Sequence, residues 1–362
     1  MFKNIHRRRR SALSGIVLAL AALTITACSG SDSDNKQTAA EAEAAVQSDY
    51  SKPVHLVSAT STGTAAVLED INAAFIANWK ERTGQTVTIE QISGTSGAQK
   101  DAIIGSSLKA DIAILGVGID IDAIQTGGLV KEGWQQRYDF NSSPFSTAVA
   151  FVVRAGNPKG IAEWEDLLQG DAKIVTANPA TDSDARWYYA APWAYSLNRQ
   201  ADDTAAAKAA VASFHERVSK LAKDDAEAEG VFLGGEGDVW VTTESNALRV
   251  AGTSGKGKVE VIVPSVTLSV EPIVSAIDAN ADADGSREVA NAYADYLFTG
   301  DAQTIAAKHG FRPRFASVAE EFADVFSSDV TLLTVDDNLT GWEDLQQALF
   351  AEDGVFAGLP SK

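Results

Sequence analysis

The chain has 362 residues, a formal charge of −19 from 30 basic and 49 acidic residues, and one cysteine. That acidity argues against nucleic acid and against direct adsorption to anionic lipid. It gives an anionic ligand no long-range attraction, so an anion site here would have to work locally. A single cysteine excludes disulfides within the chain and any thiolate-rich metal site.

The N-terminus reads as an export signal. Lys3 and Arg7 to Arg10 precede an apolar stretch from about Leu13 to Ala27, the charged and hydrophobic regions of a secretory leader. Ile25-Thr26-Ala27-Cys28 fits a bacterial lipobox, in which the cysteine thiol is lipidated and the chain is cut before it; a free thiol behind an ordinary cleaved signal is the plainer alternative. Residues 1–27 are therefore expected to be a lipoprotein signal peptide. Residues 28–50, rich in Ser, Asp, Glu and Ala, are expected to be a flexible acidic linker that buries too little surface to fold. No later segment approaches the roughly 18 apolar residues of a spanning helix. Removal of the leader takes five basic residues with it, so the mature chain is more acidic still.

Beyond the linker, strands and helices alternate. Thr64 to Thr83 carries Val67, Leu68, Ile71, Phe75 and Trp79 on one helical face, with Gly84 as a stop. Thr86 to Gln91 alternates as a strand, and Ser93-Gly94-Thr95-Ser96-Gly97 is a small-residue loop opening a helix through Ile103 and Ile104. Asp111 to Leu115 is a short buried strand, and Ser146 to Val153 a longer one ended by Gly156-Asn157-Pro158. Trp164, Leu167 and Leu168 mark a helix and Ile174-Val175 a strand. Ala201 to Ala222 is predicted as one long Ala-rich helix. Asp238 to Val241, Val259 to Val263 and Pro272 to Ile277 are strands, followed by helices over about Glu288–Leu297 and Ala302–His309. The alternation defines an α/β protein with parallel-rich sheets covered by helices.

Enzyme signatures are weak. The four histidines, His6, His55, His215 and His309, stand singly and not at zinc-ligand spacing. Gly94-Thr95-Ser96-Gly97-Ala98 lacks the second Gly of a nucleophile elbow. Gly252-Thr253-Ser254-Gly255-Lys256-Gly257-Lys258 has P-loop spacing up to its Lys, but Val259 replaces the Ser or Thr that holds Mg²⁺, and a strand comes next where a helix is required. No enzyme activity, metal or cofactor is expected. The Ser93 to Gly97 loop differs in kind: free backbone N–H groups at a helix start can hold an oxyanion, with Thr95 and Ser96 adding hydroxyls. A plain strand-to-helix turn with a capping residue reads as well from the local sequence.

From about Pro53 onward the chain resembles the bacterial sulfate/thiosulfate-binding proteins that feed ABC importers. The resemblance rests on Phe75-Ile76-Ala77-Asn78-Trp79-Lys80, Thr83-Gly84, Gln91 with Ser96-Gly97, Gly156-Asn157-Pro158-Lys159, Asn178-Pro179, Ala185-Arg186-Trp187, Gly237-Asp238-Val239, Glu271-Pro272, Ala306-Ala307-Lys308, Arg312-Pro313-Arg314 and Gly341-Trp342. It implies a type II periplasmic-binding-protein fold, two α/β lobes closing on a ligand in the cleft between them. Lobe I would comprise 51–144, lobe II 145–243, and 244–362 would return to lobe I with C-terminal helices. Crossovers are expected near Ser143 to Ser146 and Thr242 to Ser245. A monomer is expected, lipid-anchored and facing the periplasm or cell exterior, with a small oxyanion and an ABC permease as partners.

In the family, sulfate is held by neutral donors alone. Carried over, those positions fall on Thr62 and Gly63, on Ser96 and Gly97, on Asp182, Ser183 and Asp184, near Asp224 (beside Asp225), and on Thr243. Fold does not fix ligand, and the aspartates matter. An ionised Asp182 only accepts hydrogen bonds. Two like charges about 4 Å apart repel by about 4 kcal/mol at an effective dielectric of 20, enough to weaken a micromolar site to roughly millimolar. An aspartate facing the ligand would select a protonated oxyanion such as hydrogen phosphate, or a cationic or zwitterionic organosulfur compound. Asp182 and Asp184 read equally well as caps of the helix starting near Ala185. A sensor's reporter or a ligand-free envelope interaction protein would share the fold.

Overall fold

A computed structural model describes residues 49–201 and 203–362; the leader, Cys28 and nearly all of the linker lie outside them. From Asp49 to Lys362 the chain forms one compact unit. Among the described residues no helix is long and apolar enough to cross a membrane.

The unit is built on two sheets. β1 (Val54–Ser61) pairs in parallel with β2 (Val87–Gly94) on one side and β3 (Ile112–Leu115) on the other. The helix Ala65–Thr83 lies between β1 and β2 in sequence and buries Val67, Leu68, Ile71, Phe75 and Trp79, the face that its periodicity predicts. Gly84 ends it in a left-handed conformation, φ 75°, where a side chain would be strained.

β4 (Phe145–Arg154) then enters the second sheet, buried along nearly its whole length. Beside it stand β5 (Ile174–Ala177), β6 (Val218–Ala222), β7 (Val239–Thr243), β8 (Val259–Ile262) and β9 (Val266–Val270). β4 pairs antiparallel with β7, β8 and β9, while β5 runs parallel to β6 and β7. β6 overturns part of the long helix predicted over Ala201 to Ala222. The helix Thr204–Arg217 stops, and Val218 to Ala222 pairs beside β5. Helix propensity is a weak prior, and a free edge on β5 outweighs it.

The chain rejoins the first sheet through Glu271-Pro272. β10 (Ile273–Ala276) adds antiparallel to β3, giving the order β10-β3-β1-β2. This lies beyond the return expected near Thr242 to Ser245, because β7, β8 and β9 all find their partners around β4. The chain enters the second sheet at Phe145, the first residue of β4. Nor does 244–362 stay with the first sheet. β11 (Arg312–Pro313) pairs with β4, and β12 (Thr331–Leu333) runs parallel to β9. The helix Trp342–Leu349 buries Trp342, Leu345 and Leu349 in the second sheet's core with Phe151, Trp164 and Trp187. The first sheet's core is Leu56, Phe75, Ile114, Tyr293 and their neighbours.

Of two arginines here, Arg314, just after β11, ties both crossings together, and Arg312, in β11, is held beside the end of β7. Arg312 donates from Nε and Nη2 to the two oxygens of Glu244, at 2.6 and 2.8 Å. Arg314 donates from Nη2 to Glu271 and to Ser143 Oγ, both at 2.9 Å. Burial pushes both glutamates' pKa upward, and in each case the arginine opposes it.

Candidate ligand cleft

Between the two sheets lies a cavity of about 680 Å³, within the usual range for ligand sites. Thr62, Gly63, Asp182, Asp184, Asp224 and Thr243 line it, so these sequence candidates come together. Ser96, Gly97 and Ser183 are not among its lining residues; hydrogen bonds between Gly97 and Ser183 and from both serines to Asp120 tie them to one another.

Each candidate is placed by a local rule. β2 ends at Gly94, and Thr95 caps the helix Ser96–Ile104 by accepting from Ala98 N. Thr62 and Gly63 form a single 3-10 turn after β1. Asp182 caps the short turn Ser183–Ala185, its Oδ1 accepting from Asp184 N at 3.1 Å. Asp224 caps the helix Asp225–Leu233 through Glu227 N at 2.8 Å, and Thr243 caps Glu244–Gly252 through Asn246 N. Capping and facing the cleft are thus not alternatives; Asp182, Asp224 and Thr243 do both.

The helix start at Ser96 is bonded across the cleft. Gly97 N donates to Ser183 Oγ at 2.6 Å, and Ser183 Oγ donates in turn to Asp120 Oδ2 at 2.9 Å. Ser96 Oγ accepts from Gly116 N at 3.2 Å and donates to the same Asp120 oxygen at 2.7 Å. Trp187 Nε1 donates to Gly116 O at 2.8 Å, closing the contact from the second sheet's side. Asp120 therefore gathers both serine hydroxyls. It opens no motif in the sequence, and an acid in the first turn of the helix Gly118–Thr126 reads as a dipole partner; nothing local distinguishes it.

Asp184 sits hard against Gly116, where a Cβ would come 1.6 Å from its Oδ1. The residue is only partly buried, but Oδ1 is sealed from solvent and accepts no hydrogen bond. Burial raises the pKa of Asp184 well above the carboxylate range; Asp182 and Asp120 add to that, and the backbone of Ser96 opposes it. Asp182, 5 % exposed, is pushed up to about 6, chiefly by burial and partly by Asp224. Asp225, marked in the sequence only as the neighbour of Asp224, is pushed up to about 7 by burial. It accepts from the Tyr188 hydroxyl, from Thr242 Oγ1 at 3.3 Å and from Asn246 Nδ2 at 3.3 Å.

Positive charge is sparse on this floor. Arg186 Nη1 stands 4.0 Å from Asp120 Oδ1, and its Nε is buried without a hydrogen-bond partner. Of the basic residues that line the cavity, Arg249 is bound to Glu229 and His309 to Asp70, and Lys308 precedes His309. Buried charges are normally paired, so carboxyls in such a setting favour their neutral, proton-donating form.

Two α/β lobes with a ligand-sized cleft between them define a two-lobed solute-binding protein. The chain belongs to the bacterial extracellular solute-binding protein family, whose model matches residues 56–312. It is 36% identical to the sulfate-binding protein of Escherichia coli K12, over 86% of this chain and 94% of that one. It is also 36% identical to the thiosulfate-binding protein of Pseudomonas aeruginosa, over 80% of this chain and 86% of that one. Among solved structures it is similar to the sulfate-binding protein SubI from Mycobacterium tuberculosis H37Rv, with TM-score 0.73 and 27% identity, covering 82% of this chain and 99% of the other. A periplasmic thiamin-binding protein shares the fold, at TM-score 0.61 and 16% identity, covering 82% of this chain and 95% of that one.

Proposed function

We propose that this protein is the solute-capturing lipoprotein of an ABC importer, holding a small tetrahedral oxyanion in its cleft for delivery to a permease. Sulfate is the nominal ligand, from the relatives named for it. The observation that carries the reading is the helix start at Ser96 and Gly97, whose Gly97 N–H already meets an oxygen acceptor from across the cleft. An anion oxygen is the stronger acceptor at such a place. Thr62, Gly63, Ser96, Gly97, Asp182, Ser183, Asp184, Asp224 and Thr243 are the proposed ligand shell. Cys28 is the proposed lipid attachment, tested by metabolic labelling with a fatty acid, which Cys28→Ser would abolish.

The ligand test is a thermal-shift panel of sulfate, thiosulfate, phosphate, molybdate and taurine at constant ionic strength. Ligand at a hundred times its Kd stabilises a fold by about 2.7 kcal/mol, so a tight ligand stands out. A shift with an oxyanion supports the reading. A shift with taurine alone would move it to an organosulfur zwitterion, favoured by the same aspartates. No shift with any of them would overturn capture of these solutes.

A further inference from the structure

The cleft carries two internal oxygens where an anion would be held. Ser183 Oγ occupies the Gly97 N–H, and the Asp184 carboxyl faces the Ser96 backbone while pressing on Gly116. An anion seated at this helix start must therefore meet the Asp184 carboxyl. Two ionised oxyanions at contact repel, whereas a neutral carboxyl donates a hydrogen bond to its partner. The groups facing Asp184 are Asp120 from the helix Gly118–Thr126, Asp182 from its own turn, Asp224 and Asp225 from the start of Asp225–Leu233, and Arg186 and Tyr188 from Arg186–Arg199. Arg186 alone among these is cationic, and it lies against Asp120. Its charge thus goes to a carboxylate that already gathers two hydroxyls.

We propose that the cleft takes its oxyanion together with a proton held between Asp184 and an anion oxygen, so that, at a pH where Asp184 is ionised in the empty cleft, capture draws a proton from solution unless the anion brings one. The inference rests on the oxyanion reading of the cleft and deepens it. Asp184 is the specificity-determining residue, and Asp182 at its side disfavours a second negative charge there. Sulfate has no proton to give near neutrality, so the shared proton is the one Asp184 already holds or, where Asp184 is ionised, one taken from solution. Hydrogen phosphate arrives with one and is accepted over a wider pH range. The burial that lifts the Asp184 pKa acts in the same sense.

The test is calorimetric titration of the mature chain with sulfate and, separately, with phosphate, in two buffers of different ionisation heat, at about pH 5 and about pH 8. For one linked proton, sulfate affinity is expected to fall about tenfold per pH unit above the protonation range, with buffer-dependent heats that report proton uptake. Phosphate should lose less. Asp184→Asn, whose amide donates at every pH, should lose sulfate affinity less steeply than the unaltered chain between about pH 5 and about pH 8, with less proton uptake, the remainder belonging to Asp182 and Asp225. Sulfate binding by the unaltered chain with equal affinity at both pH values and buffer-independent heats would overturn the proposal. So would sulfate binding at both pH values by the double variant Asp182→Ser, Asp184→Gly when the unaltered chain binds neither anion; the aspartates would then simply bar the site, and the cleft would remain an oxyanion site. Failure of both proteins to bind either anion would sink the oxyanion reading and this inference with it. Should a variant not fold, shown by loss of its melting transition, the titrations of the unaltered chain decide alone.

Discussion

Gly116 and Asp184 fit against each other as a flat backbone surface against a carboxyl, with no room for a methyl group between them. Gly116 is also the point where the first sheet gives its N–H to Ser96 and its carbonyl to Trp187. Any side chain there pushes Asp184 away and disturbs both bonds.

Gly116→Ala is accordingly expected to destabilise the ligand-free protein by about 1 to 3 kcal/mol, the usual cost of overfilling a packed site. Urea unfolding measures it. An unchanged midpoint would mean that the turn holding Asp184 yields freely.

Stability should depend on pH with a sign opposite to that of salt-bridged carboxylates. Asp182 is raised to about 6 and Asp225 to about 7 by burial, against an unfolded value of about 3.9. Between those values the folded chain binds more protons than the unfolded one, so stability falls as pH rises from about 4 through 7. At about 1.36 kcal/mol per unit, Asp182 contributes on the order of 3 kcal/mol and Asp225 on the order of 4 kcal/mol at the acid end of that window. Melting of the ligand-free chain should shift down across it, and Asp182→Asn should remove part of the slope. A melting temperature that rises with pH over this range would contradict the assignment.

Tyr188→Phe deletes the hydroxyl donated to Asp225, leaving Thr242 and Asn246. Loss of a hydrogen bond to a buried group costs about 1 to 3 kcal/mol. That hydroxyl lowers the Asp225 pKa, so carbon-detected NMR should find its titration moved to higher pH in the variant.

Arg312→Ala leaves Glu244, 1 % exposed, without its bidentate partner. Breaking such a buried pair costs about 3 to 5 kcal/mol. Removing both charges with Glu244→Gln and Arg312→Met should recover much of that, as read by chemical denaturation. Equal losses in the single and double variants would mean that the pair contributes packing rather than charge.

The sequence made the α/β class legible because helix-period faces such as Val67 to Trp79 and buried runs such as Phe145 to Val153 sit in strict alternation. It concealed β6, since Val218 to Ala222 continues an Ala-rich helical stretch and becomes a strand only beside β5. The second crossing was hidden for a related reason: Thr242 to Ser245 looks like a strand end, and only the pairing around β4 shows that the chain stays. In the cleft, the aspartates at 182 and 184 stood out by their chemistry. Asp120 and Tyr188 did not, because each joins the site through partners far away in the chain. Asp120 lies 63 residues from Ser183, and Tyr188 lies 37 from Asp225.

The two-residue strand β11 has a consequence for the order in which the protein assembles. Arg312 reaches Glu244, 68 residues earlier, and Arg314 reaches Ser143, 171 residues earlier. A chain ending before Arg312 would hold every strand of the first sheet and most of the second, yet lack Arg314's ties to both crossings and Arg312's tie beside β7. Contacts so distant along the chain form slowly, since the loop between them must be closed before they reward it. Docking of β11 is thus expected to be a late folding event, and the cleft acquires its fixed geometry only once the C-terminal region has arrived.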